Sequence, residues 1–368
     1  MTRPTHALIS KSALRHNYQV VQQVAPQSNN LAVVKANAYG HGAVVVAQIL
    51  DPLVPAFGVA CIEEAVELRD AGIQKPILLL EGIFSEDEVV IASENNFWIM
   101  LDNLHQVSWL LNAKLSSPIK TWLKVDTGMH RLGVQPEQVN KIFLALAASR
   151  NVAEDIVLAT HFSSADEHLN RVTEQQLALF NQVKDKLALC LPGTEKISCS
   201  VANSAGLLNW PKARLDWNRA GFMLYGNSPL DSENSAADRL KPVMTLKSAI
   251  ISIREIAAGQ SVGYSQTWTA TRPSKIATVA IGYGDGYPRN AKSGTPTLVN
   301  GQKAPIAGRV SMDMLTIDIT DIKDVNLGDE VILWGAGLPV NLVAEYAGTI
   351  GYEALTRIPK RTQSIIVD

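Results

Sequence analysis

The chain has 368 residues, enough for two domains and a large hydrophobic core. Its 33 Lys and Arg residues nearly balance 35 Asp and Glu residues, so nothing in the net charge of −2 suggests nucleic acid or another polyanion as a partner. No apolar segment is long enough to span a membrane, and the N-terminus lacks the apolar core of a secretion signal. The 3 cysteines have no metal-ligand spacing and are expected to be reduced thiols. These features fit a soluble cytoplasmic enzyme without a metal.

Short apolar runs alternate with helical patterns through the first two-thirds of the chain. The candidate strands are residues 31–35, 57–60, 76–80, 97–101, 121–125, 156–160, 197–201 and about 215–224. Helical patterns between them include residues 62–71, 86–94, 136–149 and 172–189. Ser85, with Glu88 three residues later, is predicted to cap the helix at 86–94. Roughly eight strand–helix units predict a (β/α)8 barrel of the TIM type, with a doubly wound sheet as the alternative.

The sequence changes character near residue 230. Residues 231–238 are small and polar, as in a linker or an exposed loop. Beyond them, glycines and prolines separate β-rich runs, and helical periodicity is nearly absent. These runs are residues 245–253, 275–281, 315–319, 330–333 and 364–367. We therefore predict a barrel domain at residues 10–228 and a mostly β second domain at residues 229–368, which an N-terminal strand at residues 1–9 is expected to join.

Lys35 lies at the carboxyl end of the first candidate strand of the barrel, and Gly40 and Gly42 mark a turn after it. A lysine at the carboxyl end of a buried strand must find an anion or give up its charge. An amine with a lowered pKa is a nucleophile that can form a Schiff base with a carbonyl compound. A lysine here can also extend into solvent without any chemical role, so the position alone leaves both interpretations open.

Further polar residues interrupt the apolar runs where other candidate strands end. In a barrel, the carboxyl ends of the strands and the loops that follow them carry the reactive groups. Besides Lys35, these residues are Lys124 with Asp126 and Arg131, His161 with Ser163 and Ser164, Asn203 with Ser204, and Arg219. Any one of them could be a structural polar group. Their recurrence at several strand ends predicts a functional site at this end of the barrel.

The segments around these residues resemble the alanine racemases, a fold-type III family that uses pyridoxal 5′-phosphate (PLP), along nearly the whole chain. The similar segments are residues 32–42, 126–134, 216–226, 261–268, 281–287 and 308–313. The most specific is Asp126-Thr-Gly-Met-His-Arg-Leu-Gly-Val134. There are two departures: Ser311 stands where many relatives have cysteine, and Ser200 where some have a histidine. The departures affect groups around the site and leave the chemistry intact.

The resemblance implies that Lys35 holds PLP covalently and that Arg219 faces its pyridine nitrogen. A guanidinium group only donates hydrogen bonds, so the ring nitrogen must accept one and is expected to stay unprotonated. A neutral pyridine withdraws electrons less strongly than a pyridinium, which favours return of the proton to Cα over transamination. The other residues implied to contact the cofactor are Tyr39, His161, Asn203, Ser204, Gly221, Phe222 and Tyr352.

Interconversion of L- and D-alanine needs an acid/base group on each face of the planar carbanion. Lys35 can serve one face. The resemblance implies that Tyr264 of the partner subunit serves the other, in a homodimer with shared active sites. Since a phenol with a pKa of about 10 is a weak base, nearby cations such as Arg219, acting through His161, are expected to lower that value.

The substrate carboxylate is expected to bind Arg131 and the backbone N–H of Met312. Arg131 is also implied to contact the phenolic oxygen of the cofactor. Lys124 matches a lysine that is often carboxylated in the family, where it orients the arginine; unmodified, it would be an unfavourable neighbour for Arg131. The residues expected along the access path or behind the site are Lys124, Asp166, Tyr283 and Asp313.

Two other functions are compatible with parts of this pattern. A related PLP-dependent amino-acid decarboxylase also combines a barrel with a β domain, but it usually has an acidic partner for the pyridine nitrogen and a cysteine motif in the second domain. Arg219 and Tyr264 argue against it. A non-catalytic PLP-binding protein of the single-barrel type would leave residues 229–368 unexplained.

Overall fold

The computed structural model describes residues 3–167, 169–191 and 197–368. Its strands up to residue 220 are β1 (His6–Ser10), β2 (Asn29–Val33), β3 (Phe57–Val59), β4 (Ile77–Leu79), β5 (Phe97–Leu101), β6 (Thr121–Lys124), β7 (Val157–Ala159), β8 (Ser198–Ser200) and β9 (Trp217–Ala220). Within this described part, strands β2 to β9 form one parallel sheet in the order β8-β7-β6-β5-β4-β3-β2-β9.

The sheet is nearly closed into a barrel. Strand β9 pairs with β2, with Ala220 beside Ala32, so the last strand returns to the first. Between the ends of β8 and β9, the backbone N–H of Arg219 donates to the carbonyl of Ala202 at 3.0 Å. A doubly wound sheet would keep two open edges. The predicted (β/α)8 barrel is therefore confirmed, and the alternative is wrong.

Helices surround the barrel: α1 (Lys11–Val24), α2 (Ala43–Leu50), α3 (Ile62–Asp70), α4 (Asp87–Glu94), α5 (Leu104–Asn112), α6 (Val139–Ala147), α7 (Val172–Ala188) and α8 (Ser204–Asn209). Polar side chains cap several of them; the Ser10 hydroxyl, for example, accepts the N–H of Ala13 at 3.0 Å. The predicted Ser85 cap is wrong, because α4 begins at Asp87. The Glu88 carboxylate instead accepts the N–H of Phe84 at 3.0 Å.

The barrel interior is packed with side chains from alternate strand positions. Three tryptophans form its centre: the ring of Trp217 lies 5.3 Å from Trp98 and 5.7 Å from Trp122. Leu31, Val33, Leu78, Met100 and Val157 belong to the same cluster. Since these side chains fill the barrel interior, a ligand is expected to bind at one end, and the carboxyl ends of the strands offer the loops for it.

The second part of the chain is mostly β-structure, as predicted. Its strands are β10 (Met244–Ile256), β11 (Ser261–Val262), β12 (Trp268–Thr269), β13 (Ser274–Val279), β14 (Pro296–Val299), β15 (Gln302–Pro305), β16 (Leu315–Asp318), β17 (Glu330–Trp334) and β18 (Gln363–Val367). The N-terminal strand β1 lies in this sheet, antiparallel to β10 and parallel to β18.

Two short helices in this part, α9 (Val340–Tyr346) and α10 (Gly351–Thr356), did not emerge from the sequence pattern. Helix α10 packs against the barrel mouth. A Cβ built on Gly40 would lie 2.1 Å from the carbonyl oxygen of Leu355, so only glycine permits this approach. None of the helices in the described ranges is long and apolar enough to cross a lipid bilayer.

Candidate active site

A cavity of about 760 Å³ opens at the carboxyl ends of the barrel strands, between these ends and α10. The predicted site residues that line it are Lys35, Tyr39, Lys124, Arg131, His161, Asn203, Ser204, Arg219, Gly221, Phe222 and Tyr352. Its lining also includes residues that were not predicted, among them Leu80, Glu81, Met100, Thr160, Ile350 and Glu353. The positions of Glu81 and Met100 near strand ends could have identified them from the sequence, whereas Ile350 and Glu353 reach the cavity only because α10 packs there.

Within the described residues, no group of three or more His, Cys, Asp or Glu side chains is placed to hold a metal ion.

Lys35 precedes a turn with a left-handed backbone. The φ angles from Ala36 to Tyr39 are 52° to 53°, a conformation that costs L-residues about 1–2 kcal/mol each. Hydrogen bonds hold the turn: the N–H of Ala38 donates to Val34 at 2.8 Å, and the N–H of Ala36 donates to the Glu64 carboxylate at 2.7 Å. Both Lys35 and Tyr39 reach the cavity from this turn. The Lys35 Nζ atom is 3.8 Å from a carboxylate oxygen of Glu81.

One end of the cavity is a cradle of neutral hydrogen-bonding groups. The Ser204 hydroxyl accepts the N–H groups of Gly221 and Met223 at 3.0 and 3.3 Å. A Cβ on Gly221 would lie 2.7 Å from the Tyr39 hydroxyl, so glycine keeps this space open. Burial raises the pKa of Tyr39 to about 12 and also raises that of Tyr352, so both phenols keep their protons and can donate. A phosphate dianion fits such donors, and this end suits the phosphate of PLP.

The cavity wall also carries the buried guanidinium group of Arg219. It donates to the hydroxyl and carbonyl of Ser200 at 2.6 and 3.1 Å and to the carbonyl of Thr160 at 2.7 Å. Among the described residues, no carboxylate forms an ion pair with it. Burial lowers the pKa of Arg219 to about 10, so it stays charged at neutral pH. A charged donor without an acidic partner suits the lone pair of an unprotonated pyridine nitrogen.

His161 lies beside Arg219, with its Nδ1 atom 3.4 Å from a guanidinium nitrogen. Burial, and then the charge of Arg219, hold the pKa of His161 well below its usual range, so the ring is neutral. Because guanidinium can only donate, Nδ1 must accept and the proton must reside on Nε2.

Lys124 is buried within a cluster of cations. Burial and the charge of Arg219 lower its pKa to about 8, and Arg131 and Lys35 act in the same direction. Asp102 opposes them only in part. The predicted like-charge conflict therefore exists in the folded chain. In addition, one carboxylate oxygen of Asp102 is buried without a hydrogen-bond partner among the described residues.

The loop after β6 is organised by the carboxylate of Asp126. It accepts the N–H groups of Gly128 and His130 at 3.0 and 3.1 Å, and its second oxygen contacts the His130 ring at 3.0 Å. Burial alone would raise the pKa of Asp126, but these hydrogen bonds outweigh it and lower the value. They explain the turn in this segment that carries Arg131 to the cavity.

The remaining predicted residues do not line the cavity of the single described chain. Tyr264 is 71% exposed and lies between β11 and β12, and Met312 is 54% exposed. Tyr283 is also exposed, while Asp313 pairs with Arg361 at 2.5 Å. Asp166 follows β7, and its carbonyl accepts the N–H of Asp231 at 3.3 Å.

A barrel with a lysine, a phosphate-sized cradle and a buried guanidinium at its mouth, joined to a β domain, is typical of the barrel class of PLP enzymes. The family model "Alanine racemase, N-terminal domain" matches residues 9–229, and "Alanine racemase, C-terminal domain" matches residues 243–366. The alanine racemase of Chromohalobacter salexigens is 47% identical over 367 residues, which cover 98% of each chain.

Two solved structures extend this similarity to three dimensions. The biosynthetic alanine racemase of Pseudomonas aeruginosa has a TM-score of 0.94 at 44% identity, with 100% of both chains covered. The alanine racemase of Bartonella henselae, solved with covalently bound pyridoxal phosphate, has a TM-score of 0.86 at 30% identity, with 99% of both covered. The chain belongs to the alanine racemase family. This confirms the predicted family, and the match over both domains argues against a single-barrel binding protein.

Proposed function

We propose that this protein interconverts L-alanine and D-alanine with PLP held at Lys35, and that Lys35 and Tyr264 of the partner subunit are its two acid/base groups. The observation that carries the proposal is one cavity with Lys35, the neutral cradle at Ser204 and Gly221, and the buried Arg219 around it. When bound, PLP withdraws electrons from the substrate Cα and makes its proton acidic.

Arg219 limits how far that withdrawal goes. Its carbonyl partners at Thr160 and Ser200 hold the guanidinium in place and cannot accept its charge as a carboxylate would. A ring nitrogen that faces Arg219 has to accept a hydrogen bond. The proton removed from alanine is then more readily returned to Cα than lost to transamination, which is what a racemase needs.

Lys35 is proposed to move the proton on one face of the substrate. Its side chain is 37% exposed and lies beside Glu81, so a free amine at this position has room and an anionic neighbour. Arg131, at the same cavity, is proposed to bind the substrate carboxylate. Lys124 is proposed to orient Arg131, and carboxylation of Lys124 would turn a repulsive neighbour into an attractive one.

The second face is proposed to be served by Tyr264 of the partner subunit, in a homodimer. Two surfaces support this assembly. Ile350 and Leu132, both at the cavity, are exposed apolar side chains, and so are Tyr264, Tyr283 and Met312 of the β domain. Under two-fold symmetry, the β domain of each chain can cover the cavity of the other and add the backbone N–H of Met312 to it. His161 would then present its Nε2 proton towards the incoming phenol.

The function is tested by circular dichroism of purified protein with PLP, started separately from L-alanine and from D-alanine. Enantiomers have equal free energies, so both time courses should converge on zero ellipticity. Lys35→Ala should abolish the conversion, while Lys114→Ala, which replaces an exposed lysine outside the cavity, should leave it unchanged. If the ellipticity approached zero from neither enantiomer, the proposed reaction would be excluded.

The attachment site needs a separate test, because two lysines line the cavity. Lys124, with its pKa lowered to about 8, carries more neutral amine at pH 7 than an ordinary lysine does, whereas Lys35 has the more open position. Borohydride reduction of the holoenzyme followed by peptide mapping should find the cofactor on Lys35. Label on Lys124 would contradict the assignment.

A further inference from the structure

His41 lies two residues after Tyr39, the last residue of the left-handed turn, and has no role in the chemistry described above. Its side chain is 1% exposed. The Nδ1 atom lies 2.8 Å from the carbonyl oxygen of Tyr39 and 3.0 Å from that of Ala38. The imidazole ring packs on Tyr225, with ring centroids 4.5 Å apart. His41 therefore contacts both the backbone of the turn and the core beneath it.

The partners of His41 fix the position of its proton. Carbonyl oxygens only accept hydrogen bonds, so Nδ1 must carry the hydrogen. Burial lowers the pKa of His41 to about 4, which keeps the ring neutral at physiological pH. The Nε2 atom then carries no hydrogen and has a free lone pair. It is buried without a hydrogen-bond partner among the described residues.

The turn needs such support because four successive residues hold a backbone conformation that L-residues avoid. Glu64 binds its first N–H group, at Ala36, and His41 binds the carbonyls of Ala38 and Tyr39 at its end. Without the His41 side-chain donor, the carbonyls of Ala38 and Tyr39 would lose that hydrogen bond. The end of the turn would then be held only by local bonds such as those from the N–H of His41 to Ala38 and from the N–H of Gly42 to Asn37, at 3.1 and 3.0 Å. Tyr39 would then leave its place beside Gly221.

We propose that His41, as its neutral Nδ1–H tautomer, is a positioning residue for the cofactor: it clamps the left-handed turn and so holds Tyr39 over Gly221 in the phosphate cradle. The inference rests on the proposed function only in taking this cradle as the PLP phosphate site.

The first test compares two replacements by the dissociation constant of PLP from the apoenzyme, measured by fluorescence titration. His41→Phe keeps an aromatic ring against Tyr225 but removes the donor, and it should weaken PLP binding about tenfold or more. His41→Asn places its amide N–H close to the position of Nδ1 and should bind within about threefold of the wild type. His105→Phe is the matched control, because His105 is exposed, packs on Trp109 and is remote from the cavity.

Wild-type affinity in His41→Phe, or equal losses in the Phe and Asn variants, would overturn the proposal. A second measurement does not depend on folding of a variant. In wild-type protein labelled with 15N-histidine, the His41 signals should show the Nδ1–H tautomer with and without PLP, and the Nε2–H tautomer would overturn the proposal. If the wild type failed to bind PLP, the proposed function would fall, while the tautomer would still decide whether His41 clamps the turn.

Discussion

The surroundings of the buried residue Arg219 are the basis on which we propose that racemisation is favoured over transamination. Its guanidinium is held by backbone carbonyls and the Ser200 hydroxyl, and none of these partners is an acid that would pass a proton to a pyridine nitrogen. Some relatives have a histidine at the position of Ser200. The Ser200 hydroxyl preserves the arrangement, since it accepts a hydrogen bond from arginine as a histidine nitrogen would. An arginine suits this position because its guanidinium only donates hydrogen bonds, as well as because it is charged.

Replacement of Arg219 by glutamate should increase transamination relative to racemisation. Next to the carbonyls of Thr160 and Ser200, a buried glutamate is stable only when protonated, and a carboxyl group can share that proton with the ring nitrogen. The measurement is pyruvate formed per alanine racemised, which we expect to rise about tenfold or more. Arg219→Lys, which keeps a cation, is the control. Unchanged partitioning in the glutamate variant would contradict this account of Arg219.

Lys124 should react with carbon dioxide in a pH-dependent way, because carbamate formation needs the neutral amine. With a pKa of about 8, roughly one molecule in ten is neutral at pH 7, against about one in three thousand for an ordinary lysine. Protein equilibrated with 13C-bicarbonate should show a carbamate carbon by NMR near pH 9 that disappears on acidification to about pH 6. The signal should be absent in Lys124→Ala and present in Lys114→Ala. A signal that survives in Lys124→Ala would place the carbamate elsewhere.

The lowered pKa of Lys124 should also make the stability of the protein depend on pH. Below about pH 8 the folded chain must bury a charged Lys124, whereas the unfolded chain binds the proton up to pH 10.5. Between these values the unfolded state binds more protons, so the free energy of unfolding should rise with pH in carbonate-free buffer, by on the order of 3 kcal/mol. Denaturant titrations should show this rise in the wild type and lose it in Lys124→Met. A rise that persists in that variant would assign the trend to other groups.

At the scale of elements, the site depends on close approaches between a turn, a strand end and a helix. The turn that carries Tyr39 touches Gly221 after β9, and Gly40 touches the backbone of α10. Tyr352 on α10 in turn stacks on Phe222, with ring centroids 3.7 Å apart. Each contact joins segments that are far apart in the chain.

Gly221→Ala should weaken PLP binding while the barrel stays folded. The added Cβ would meet the Tyr39 hydroxyl at 2.7 Å and displace it from the cradle. We expect the PLP dissociation constant to increase about tenfold, since a hydrogen bond to a charged group contributes about 1.5–3 kcal/mol. Gly72→Ala is the control: its φ of +92° imposes backbone strain, but no atom lies within 4 Å of the new Cβ. Equal affinities in both variants would show that Tyr39 does not depend on this space.

At the scale of the whole molecule, Tyr264, the proposed second base, does not line the cavity of its own chain. Mixing two inactive variants, Lys35→Ala and Tyr264→Phe, under subunit exchange tests whether the sites are shared. In a mixed dimer, one shared site carries both changes and the other carries neither. About half of the dimers are mixed after equal exchange, so about a quarter of wild-type activity should return.

Exchange must be confirmed independently, for example with subunits of different mass. No return of activity after confirmed exchange would mean that each site is built within one chain, and the assignment of Tyr264 would be wrong. The same experiment with Lys114→Ala in place of Lys35→Ala controls for the mixing procedure, since that subunit has both proposed catalytic groups.

The sequence by itself located the strands of the first domain, because parallel strands buried on both faces give continuous apolar runs, and all eight candidate runs overlap strands β2 to β9 within the described chain. Only the pairing of β9 with β2 decided between a barrel and a doubly wound sheet. The sequence also located the strand-end groups that line the cavity, because the carboxyl ends of barrel strands meet at one edge. It missed α10 and misplaced the cap of α4, since short elements carry too little periodicity and a side chain can cap in more than one way.

Only the tertiary structure decided the left-handed turn, the hydrogen bonds that Glu64 and His41 make to it, and the lowered pKa of Lys124. These features depend on contacts between distant segments and on the exclusion of water, and neither is encoded in the spacing of residues along the chain. The burial of Arg219 away from carboxylates, among the residues described, belongs to the same group. The sequence thus predicted many of the polar groups that line the cavity, while folding set the pKa of Lys124 and the backbone conformation of the turn after Lys35.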